Sequence, residues 1–121
     1  MVFLVIPTPF LRRFIVENRE KFPSDVPIVC CSKGIEKDTL DTPYEIVRDE
    51  LPGKYSKWLS CVSGPSFAAE VAKGQQPTSV TCAAIEAHVG ERVQQALSDK
   101  MFRVYLGDDL IGCEIAGIFF F

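Results

Sequence analysis

Three short stretches of small, hydroxyl-bearing and turn-forming residues are the first candidates for chemistry. They are Pro7–Phe10, Ser32–Gly34 and Ser63–Ser66, and each follows a short apolar run. Such residues let a ligand approach the backbone, and two of the stretches lead into helical patterns, whose first turns carry unsatisfied N–H groups and partial positive charge. This combination suits an anion, so the stretches predict binding of a phosphate group.

Lys33 is the single cation within these three stretches. A lysine beside a glycine at a strand end can donate hydrogen bonds from its ammonium to a carbonyl or phosphate oxygen. A solvent-facing loop lysine is the alternative interpretation, and position alone favours it. Ser66 has the same duality, because a serine that precedes a helix can be simply its N-cap.

Other polar residues give weaker signals. Glu36 could act as a base, but its neighbours Lys37 and Asp38 favour a solvated loop. Asp108 and Asp109 could bind a metal ion, but a helix-capping role is favoured. No metal site is therefore expected from these acids.

The histidine and cysteine pattern points the same way. His88 is the single histidine and has no CxxC pattern near it, so a zinc site is not expected. The five cysteines are odd in number and irregularly spaced, which indicates buried thiols in a reducing, cytoplasmic compartment. No GxGxxG or P-loop pattern occurs in the chain.

Apolar runs alternate with helical patterns along the chain. Strands are predicted at Val2–Ile6, Val26–Cys31, Trp58–Val62, Ser79–Ala83 and Phe102–Tyr105. Helices are predicted after an N-cap at Thr8, from the capping box Thr42–Glu45 through Leu51, at Phe67–Ala72, at Glu86–Leu97, and after an Asp108 or Asp109 cap. The alternation predicts an α/β domain with a mainly parallel sheet, whose strand ends carry the three stretches named above.

Within the first helix, Phe10, Phe14 and Ile15 are expected to share one side, with Arg12 and Arg13 elsewhere.

The whole chain has 121 residues, which suits one domain. Its net charge of −3 argues against nucleic-acid and anionic-membrane partners. No apolar run approaches the length of a membrane helix.

Taken together, several motifs resemble NAD-dependent glycerol-3-phosphate dehydrogenase: Ile6–Arg12, Cys31–Glu36 and Ser63–Val71, followed by Phe102–Tyr105, Asp109, Gly112, Glu114 and Gly117. The resemblance runs from Val2 to Gly117. It implies a partial, Rossmann-type, doubly wound and mainly parallel sheet, with residues 1–121 forming one partial nucleotide-binding domain. The family's first βαβ unit, with its GxGxxG, and its C-terminal helical domain are expected to lie outside this chain.

The resemblance also implies an activity and its residues. The family transfers hydride between NAD(H) and carbon 2 of dihydroxyacetone phosphate or glycerol 3-phosphate, with NADP left open as cofactor. By motif, Lys33 would act in catalysis and contact both substrate and cofactor, stabilising charge on the reacting oxygen. Gly64 and Ser66 would line the substrate, and Phe10 and Ala68 would contact the dinucleotide.

One departure weakens the expected activity. The family reads Gly-Ala-Leu-Lys-Asn where this chain reads Gly117–Phe121, so Phe120 replaces the catalytic lysine and offers no titratable proton. The chain alone is expected to have negligible dehydrogenase activity. Two alternatives stay open: a non-catalytic fragment that binds a phosphometabolite or partner weakly, and a related nicotinamide dehydrogenase acting on ketopantoate or 6-phosphogluconate. Open sheet edges and the apolar end predict self-association or a homodimer.

Overall fold

A computed structural model describes residues 1–64, 68–74 and 76–119 of the chain, with the backbone alone at 68–70. Its strands are β1 (Val2–Leu4), β2 (Ile28–Cys30), β3 (Leu59–Ser63), β4 (Thr78–Ala84) and β5 (Phe102–Gly107). Its helices are α1 (Thr8–Asn18), α2 (Pro43–Glu50), α3 (Ala68–Lys73), α4 (Ala87–Leu97) and α5 (Leu110–Phe119), with short 3₁₀ turns at Arg19–Lys21 and Gly53–Trp58. Every predicted strand and helix has a counterpart, which confirms the α/β prediction.

The five strands form one sheet in the order β1-β2-β3-β4-β5. The first three strands are parallel to one another, and β4 runs antiparallel to β3. The last strand, β5, is again parallel to β4. The prediction of a mainly parallel sheet is therefore confirmed, whereas the reversal at β4 was not predicted.

The reversal at β4 decides which face each helix covers. Crossovers between neighbouring parallel strands are right-handed, so α1 and α2 pack on the same face of the sheet. Because β4 and β5 point the other way, a right-handed crossover between them puts α4 on the opposite face. Accordingly, buried residues of α1, α2 and α5 form one apolar cluster, and Val93 of α4 packs in a second cluster with Val29, Val80 and Val104.

The same reversal divides the two edges of the sheet. The carboxyl ends of β1, β2 and β3 lie together at one edge, whereas those of β4 and β5 lie at the other. Helix α5 begins after β5 and runs back toward the first edge, where a Cβ placed on Gly117 would lie 1.9 Å from Ser63 Oγ. The carboxyl ends of the first three strands and the last turn of α5 therefore meet.

The buried side of α1 differs from the one that the sequence pattern predicts. Leu11 and Ile15 are fully buried, whereas Phe10 and Phe14 are 62% and 38% exposed. Residues four apart share a helix face, and the face that α1 turns to the sheet is the one through Thr8, Leu11 and Ile15. The two phenylalanines lie on the flank next to that face.

Among the described residues, no helix is long and apolar enough to cross a membrane.

Candidate functional site

Two of the predicted site residues meet at the carboxyl edge of the parallel strands. Lys33 Nζ donates a hydrogen bond of 3.1 Å to the carbonyl oxygen of Gly64. The contact arises because β2 and β3 are parallel neighbours, with Cys30 beside Cys61 in register, so that the turns after them leave the sheet side by side. The structure therefore brings the Ser-Lys-Gly stretch against the start of the Ser-Gly-Pro-Ser bend.

Ser66 and Phe120 lie outside the described residues. Ala68 is the first residue of α3, and only its backbone is described. The positions of these three side chains at the site therefore stay predictions.

The backbone around Lys33 is tied to the segment that follows β1. Thr8 Oγ1 donates a 2.7 Å hydrogen bond to the carbonyl oxygen of Lys33, and Ser32 Oγ donates to the carbonyl oxygen of Ile6. The prediction that Thr8 caps α1 was wrong: Pro7 occupies the N-cap position, and Thr8 is a helical residue only 4% exposed. A buried hydroxyl needs a partner, and the Lys33 carbonyl on the neighbouring turn supplies it.

Two glycines let these turns approach one another. Gly34 has φ +121°, a backbone conformation that L side chains rarely adopt, and a Cβ there would lie 3.2 Å from Thr8 Oγ1. A Cβ on Gly64 would lie 3.0 Å from both the carbonyl oxygen of Ser79 and the Cα of Val80. A larger residue at either position would push the neighbouring segments apart.

The electrostatics at Lys33 suit an anionic or polar ligand oxygen. Partial desolvation lowers the pKa of the Lys33 ammonium. A group with a lowered pKa gives up its proton more readily and is a stronger hydrogen-bond donor. The side chain is still largely exposed at the edge of the sheet, so a ligand can reach it.

Phe10 offers apolar surface at the same edge. It stands in the first turn of α1, directly after the segment that leaves β1, and most of the residue is exposed. An exposed phenyl ring at the carboxyl ends of parallel strands fits the flat aromatic part of a dinucleotide. Phe10 and Lys33 thus offer an apolar and a cationic side chain to a ligand at this edge.

Glu36 is not the solvated loop residue that its sequence neighbours favour. Arg12 Nε lies 3.1 Å from each oxygen of Glu36, and its Nη2 lies 2.9 Å from Glu36 and from Asp41. Arg12 Nη1 also donates to Glu50 at 2.9 Å. The hydrogen bonds from Arg12 lower the pKa of Glu36, so its carboxylate is held ionised in an ion-pair network and is not a candidate base.

Glu114 is a buried acid to which the sequence pattern assigns no role beyond its place in the family motif. It is 5% exposed, and both carboxyl oxygens accept from the backbone N–H of Tyr44, at 3.0 and 3.1 Å, in the first turn of α2. Burial is the main reason why the pKa of Glu114 rises to about 7. The sequence feature that could have singled out Glu114 is that it is a lone acid within an apolar helical stretch.

The structure confirms the prediction that an aspartate caps the last helix. Asp109 Oδ1 accepts from the N–H of Gly112 at 3.0 Å, as a residue that caps the start of α5 does. Among the described residues, no cluster of histidine, cysteine and acidic side chains could hold a metal ion.

Known proteins match this chain over most of its length. The family model for the N-terminus of NAD-dependent glycerol-3-phosphate dehydrogenase matches residues 1–89. The chain is 45% identical to a glycerol-3-phosphate dehydrogenase (NAD(P)+) of Anaeromyxobacter dehalogenans, over 97% of this chain and 35% of that protein. It is 42% identical to the glycosomal glycerol-3-phosphate dehydrogenase (NAD(+)) of Trypanosoma brucei brucei, over 96% of this chain and 34% of that protein.

Solved structures give the same result for the fold. The crystal structure of glycerol-3-phosphate dehydrogenase from Coxiella burnetii superposes with a TM-score of 0.80 at 29% identity, over 95% of this chain and 34% of that one. The Plasmodium falciparum glycerol-3-phosphate dehydrogenase superposes with a TM-score of 0.82 at 18% identity, over 95% of this chain and 32% of that one, which supports the fold alone. These matches confirm the Rossmann-type α/β class.

The chain spans about a third of the length of the relatives that it matches. Within that third lie Phe10, Lys33 and Gly64, all inside the range that the family model covers. The order of the motifs, the parallel strands that bring Lys33 to Gly64 and the match over residues 1–89 agree with one another. The chain therefore belongs to the NAD-dependent glycerol-3-phosphate dehydrogenase family.

Proposed function

We propose that this chain carries the carbonyl-binding part of an enzyme that transfers hydride between a nicotinamide dinucleotide and dihydroxyacetone phosphate or sn-glycerol 3-phosphate. The observation that carries the proposal is the 3.1 Å contact between Lys33 Nζ and the Gly64 carbonyl oxygen. It supports a single cleft formed by the Ser-Lys-Gly turn and the bend after β3. The relatives' names supply the reaction class.

Lys33 is proposed to bind and polarise the carbonyl oxygen at carbon 2. When the substrate is reduced, negative charge develops on that oxygen, and a fixed ammonium stabilises it. Its lowered pKa makes Lys33 a stronger donor to this oxygen than a lysine in bulk water. The hydrogen bond from Thr8 to the Lys33 carbonyl limits movement of the backbone that carries the ammonium.

The dinucleotide would be held by Phe10, Lys33 and Ala68. The exposed ring of Phe10 supports apolar packing against the nicotinamide half. Bound NADH supplies the hydride, and NADPH remains open as an alternative donor. Gly64 and Ser66 would line the substrate, as the resemblance implies.

The test measures ligand binding to the chain itself. The ¹⁵N-labelled protein is titrated with dihydroxyacetone phosphate and with NADH, and NMR records the binding. We expect shifts at residues 33 and 64, and Lys33→Met should weaken dihydroxyacetone phosphate binding roughly 10-fold or more, because one charge-assisted hydrogen bond is lost. Lys37→Met is the matched control, since it removes an exposed lysine four residues away. Wild-type affinity in Lys33→Met would contradict the proposal.

Turnover is a separate expectation. With Phe120 at the position that the resemblance assigns to the catalytic lysine, we expect negligible oxidation of NADH by the chain in the presence of dihydroxyacetone phosphate. Absorbance of NADH measures it. Turnover like that of an ordinary dehydrogenase would refute the expectation that the reaction requires a lysine at position 120.

We also propose that the chain associates with copies of itself and that it is located in the cytoplasm. The outer side of β1 supports the first, because β1 pairs with β2 alone among the described strands and Val5 beyond it is 71% exposed. Size-exclusion chromatography measures it, and a clean monomer at high concentration would argue against it.

A further inference from the structure

We propose that Cys61 and Cys113 form a peroxide-sensitive thiol pair, which closes to a reversible disulfide and fastens α5 to the sheet. The pair lies in β3 and α5, and the proposal does not depend on the function proposed above. All five cysteines are free in the structure, and this pair combines packing across one helix–sheet interface with partial solvent access at one member.

The packing of α5 on β3 brings the two residues into register. Gly117 lies so close to Ser63 that a Cβ would be 1.9 Å from Ser63 Oγ. Cys113 is four residues before Gly117 and shares its helix face, and Cys61 is two residues before Ser63 and shares its strand face. The pair 113 and 61 therefore repeats the close approach of 117 and 63, one helical turn away.

Hydrogen bonds locate both sulfurs in this interface. Cys61 Sγ lies 3.6 Å from the carbonyl oxygen of Leu110, which is three residues before Cys113 on the same helix. Cys113 Sγ lies 3.8 Å from the carbonyl oxygen of Thr81 on β4, the strand that pairs with β3. Cys113 packs against the apolar cluster that contains Cys61, so the two thiols lie in the same interface between α5 and the sheet.

The two thiols are not equivalent. Interaction with Cys61 lowers the pKa of Cys113, whereas the same interaction and burial raise the pKa of Cys61. Cys61 is fully buried and Cys113 is partly exposed. Cys113 is therefore the thiolate that an oxidant meets first, and Cys61 is the thiol that resolves the product.

The chemistry is a two-electron oxidation by hydrogen peroxide. The Cys113 thiolate attacks one peroxide oxygen, the O–O bond breaks, hydroxide leaves, and Cys113 becomes a sulfenic acid. The Cys61 sulfur then attacks that sulfur, the S–O bond breaks, and the departing hydroxide takes the Cys61 proton to form water. Two thiols and one peroxide thus give one disulfide and two waters, and a dithiol reductant reverses the change.

The remaining cysteines provide the comparison. Burial raises the pKa of Cys31 and of Cys82 to about 11, so neither forms a thiolate readily at neutral pH. Cys31 is partly exposed, as Cys113 is, but the pKa of its thiol is shifted in the opposite direction. Cys31 is therefore the matched control for exposure without activation.

The experiment exposes the folded wild-type chain to limited hydrogen peroxide and maps its disulfides by peptide mass spectrometry under non-reducing conditions. We expect a linked Cys61–Cys113 peptide pair, a loss of two hydrogen atoms from the intact mass, a higher midpoint of thermal unfolding, and full reversal by dithiothreitol. Cys31→Ser should behave as wild type, and Cys113→Ser should lose the cross-link.

Because the mapping is done on the wild-type chain, it does not depend on whether a variant folds. Three results would overturn the proposal: a different cross-link as the main product, over-oxidation of Cys113 without a cross-link, or oxidation of Cys31 before Cys113.

Discussion

Single buried groups decide how this protein responds to pH, and Glu114 is the clearest case. Its carboxyl group sits on the first turn of α2, where the N–H of Tyr44 donates to both oxygens. An anion is favoured at a helix N-terminus, yet burial outweighs that benefit and raises the pKa to about 7. The protonated form is therefore the one that the folded state prefers below neutral pH.

Glu114→Gln should make the protein more stable than wild type above pH 7. The folded pKa of Glu114 exceeds its ordinary value of 4.5, so its stabilising contribution is full below pH 4.5 and is lost as pH rises through 7. The whole difference is on the order of 3 kcal/mol. Glutamine keeps an oxygen for the Tyr44 N–H and has no proton to lose.

Urea unfolding between pH 4 and 8 measures this effect as the difference in unfolding free energy between variant and wild type. Glu91→Gln, which changes an exposed acid on α4, serves as the control. A difference that stays constant across the pH range would show that Glu114 does not titrate in this way.

At the scale of elements, the contact between α5 and β3 determines where the last helix lies. Gly117 and Ser63 are both buried, and no side chain fits between the two backbones at that point. Asp109 caps the helix at the other end by accepting from Gly112. The helix is therefore held at both ends, by its cap and by a close glycine contact.

Gly117→Ala should lower stability by about 1–3 kcal/mol, because the added methyl group collides with Ser63 Oγ and then lies 3.2 Å from Ser63 Cβ. Thermal unfolding measures the loss. Gly53→Ala is the control, since a Cβ at Gly53 meets nothing within 4 Å.

Combining Gly117→Ala with Ser63→Ala tests the cause. Removing the hydroxyl takes away the nearest colliding atom, so the double variant should regain part of the loss. Equal destabilisation in the presence and absence of Ser63 Oγ would place the cause elsewhere.

For the whole molecule, one arginine joins three separate parts of the chain. Arg12 of α1 binds Glu36 and Asp41 in the segment after Lys33, and Glu50 at the end of α2. Arg19 reaches the same Glu50, through its carboxylate and its carbonyl oxygen. The network keeps α1, α2 and the segment that leaves the candidate site in one arrangement.

Arg12→Met should destabilise the fold by on the order of 1–2 kcal/mol, because three carboxylates lose their shared partner while the apolar stem is kept. The partial exposure of the site keeps the loss below that of a fully buried pair. Chemical unfolding compares it with Arg13→Met, whose partner Glu17 lies on an exposed helix face. Similar losses in the two variants would contradict a special role for Arg12.

Much of the candidate site was predictable because its signals are local. Apolar runs, the capping box at Thr42–Glu45 and the turn residues after each strand depend on neighbours a few positions away. These signals are enough to place Lys33 and Gly64 at strand ends, and the order of the motifs is enough to indicate the family. The buried role of Glu114 and the bond from Thr8 to Lys33 have no such local signal, because their partners lie far away along the chain.

What the sequence by itself determined is the succession of strands and helices, the residues at their ends and the family. What only the tertiary structure decided is how distant segments meet: the reversed direction of β4, the face that each helix covers, the hydrogen bond from Lys33 to Gly64 and the approach of Cys113 to Cys61. The physical reason is that a strand's residue pattern records which side is buried but carries no mark of its neighbour or its direction. Partner and direction follow from which pairing satisfies the hydrogen bonds and buries the apolar faces of the whole chain together.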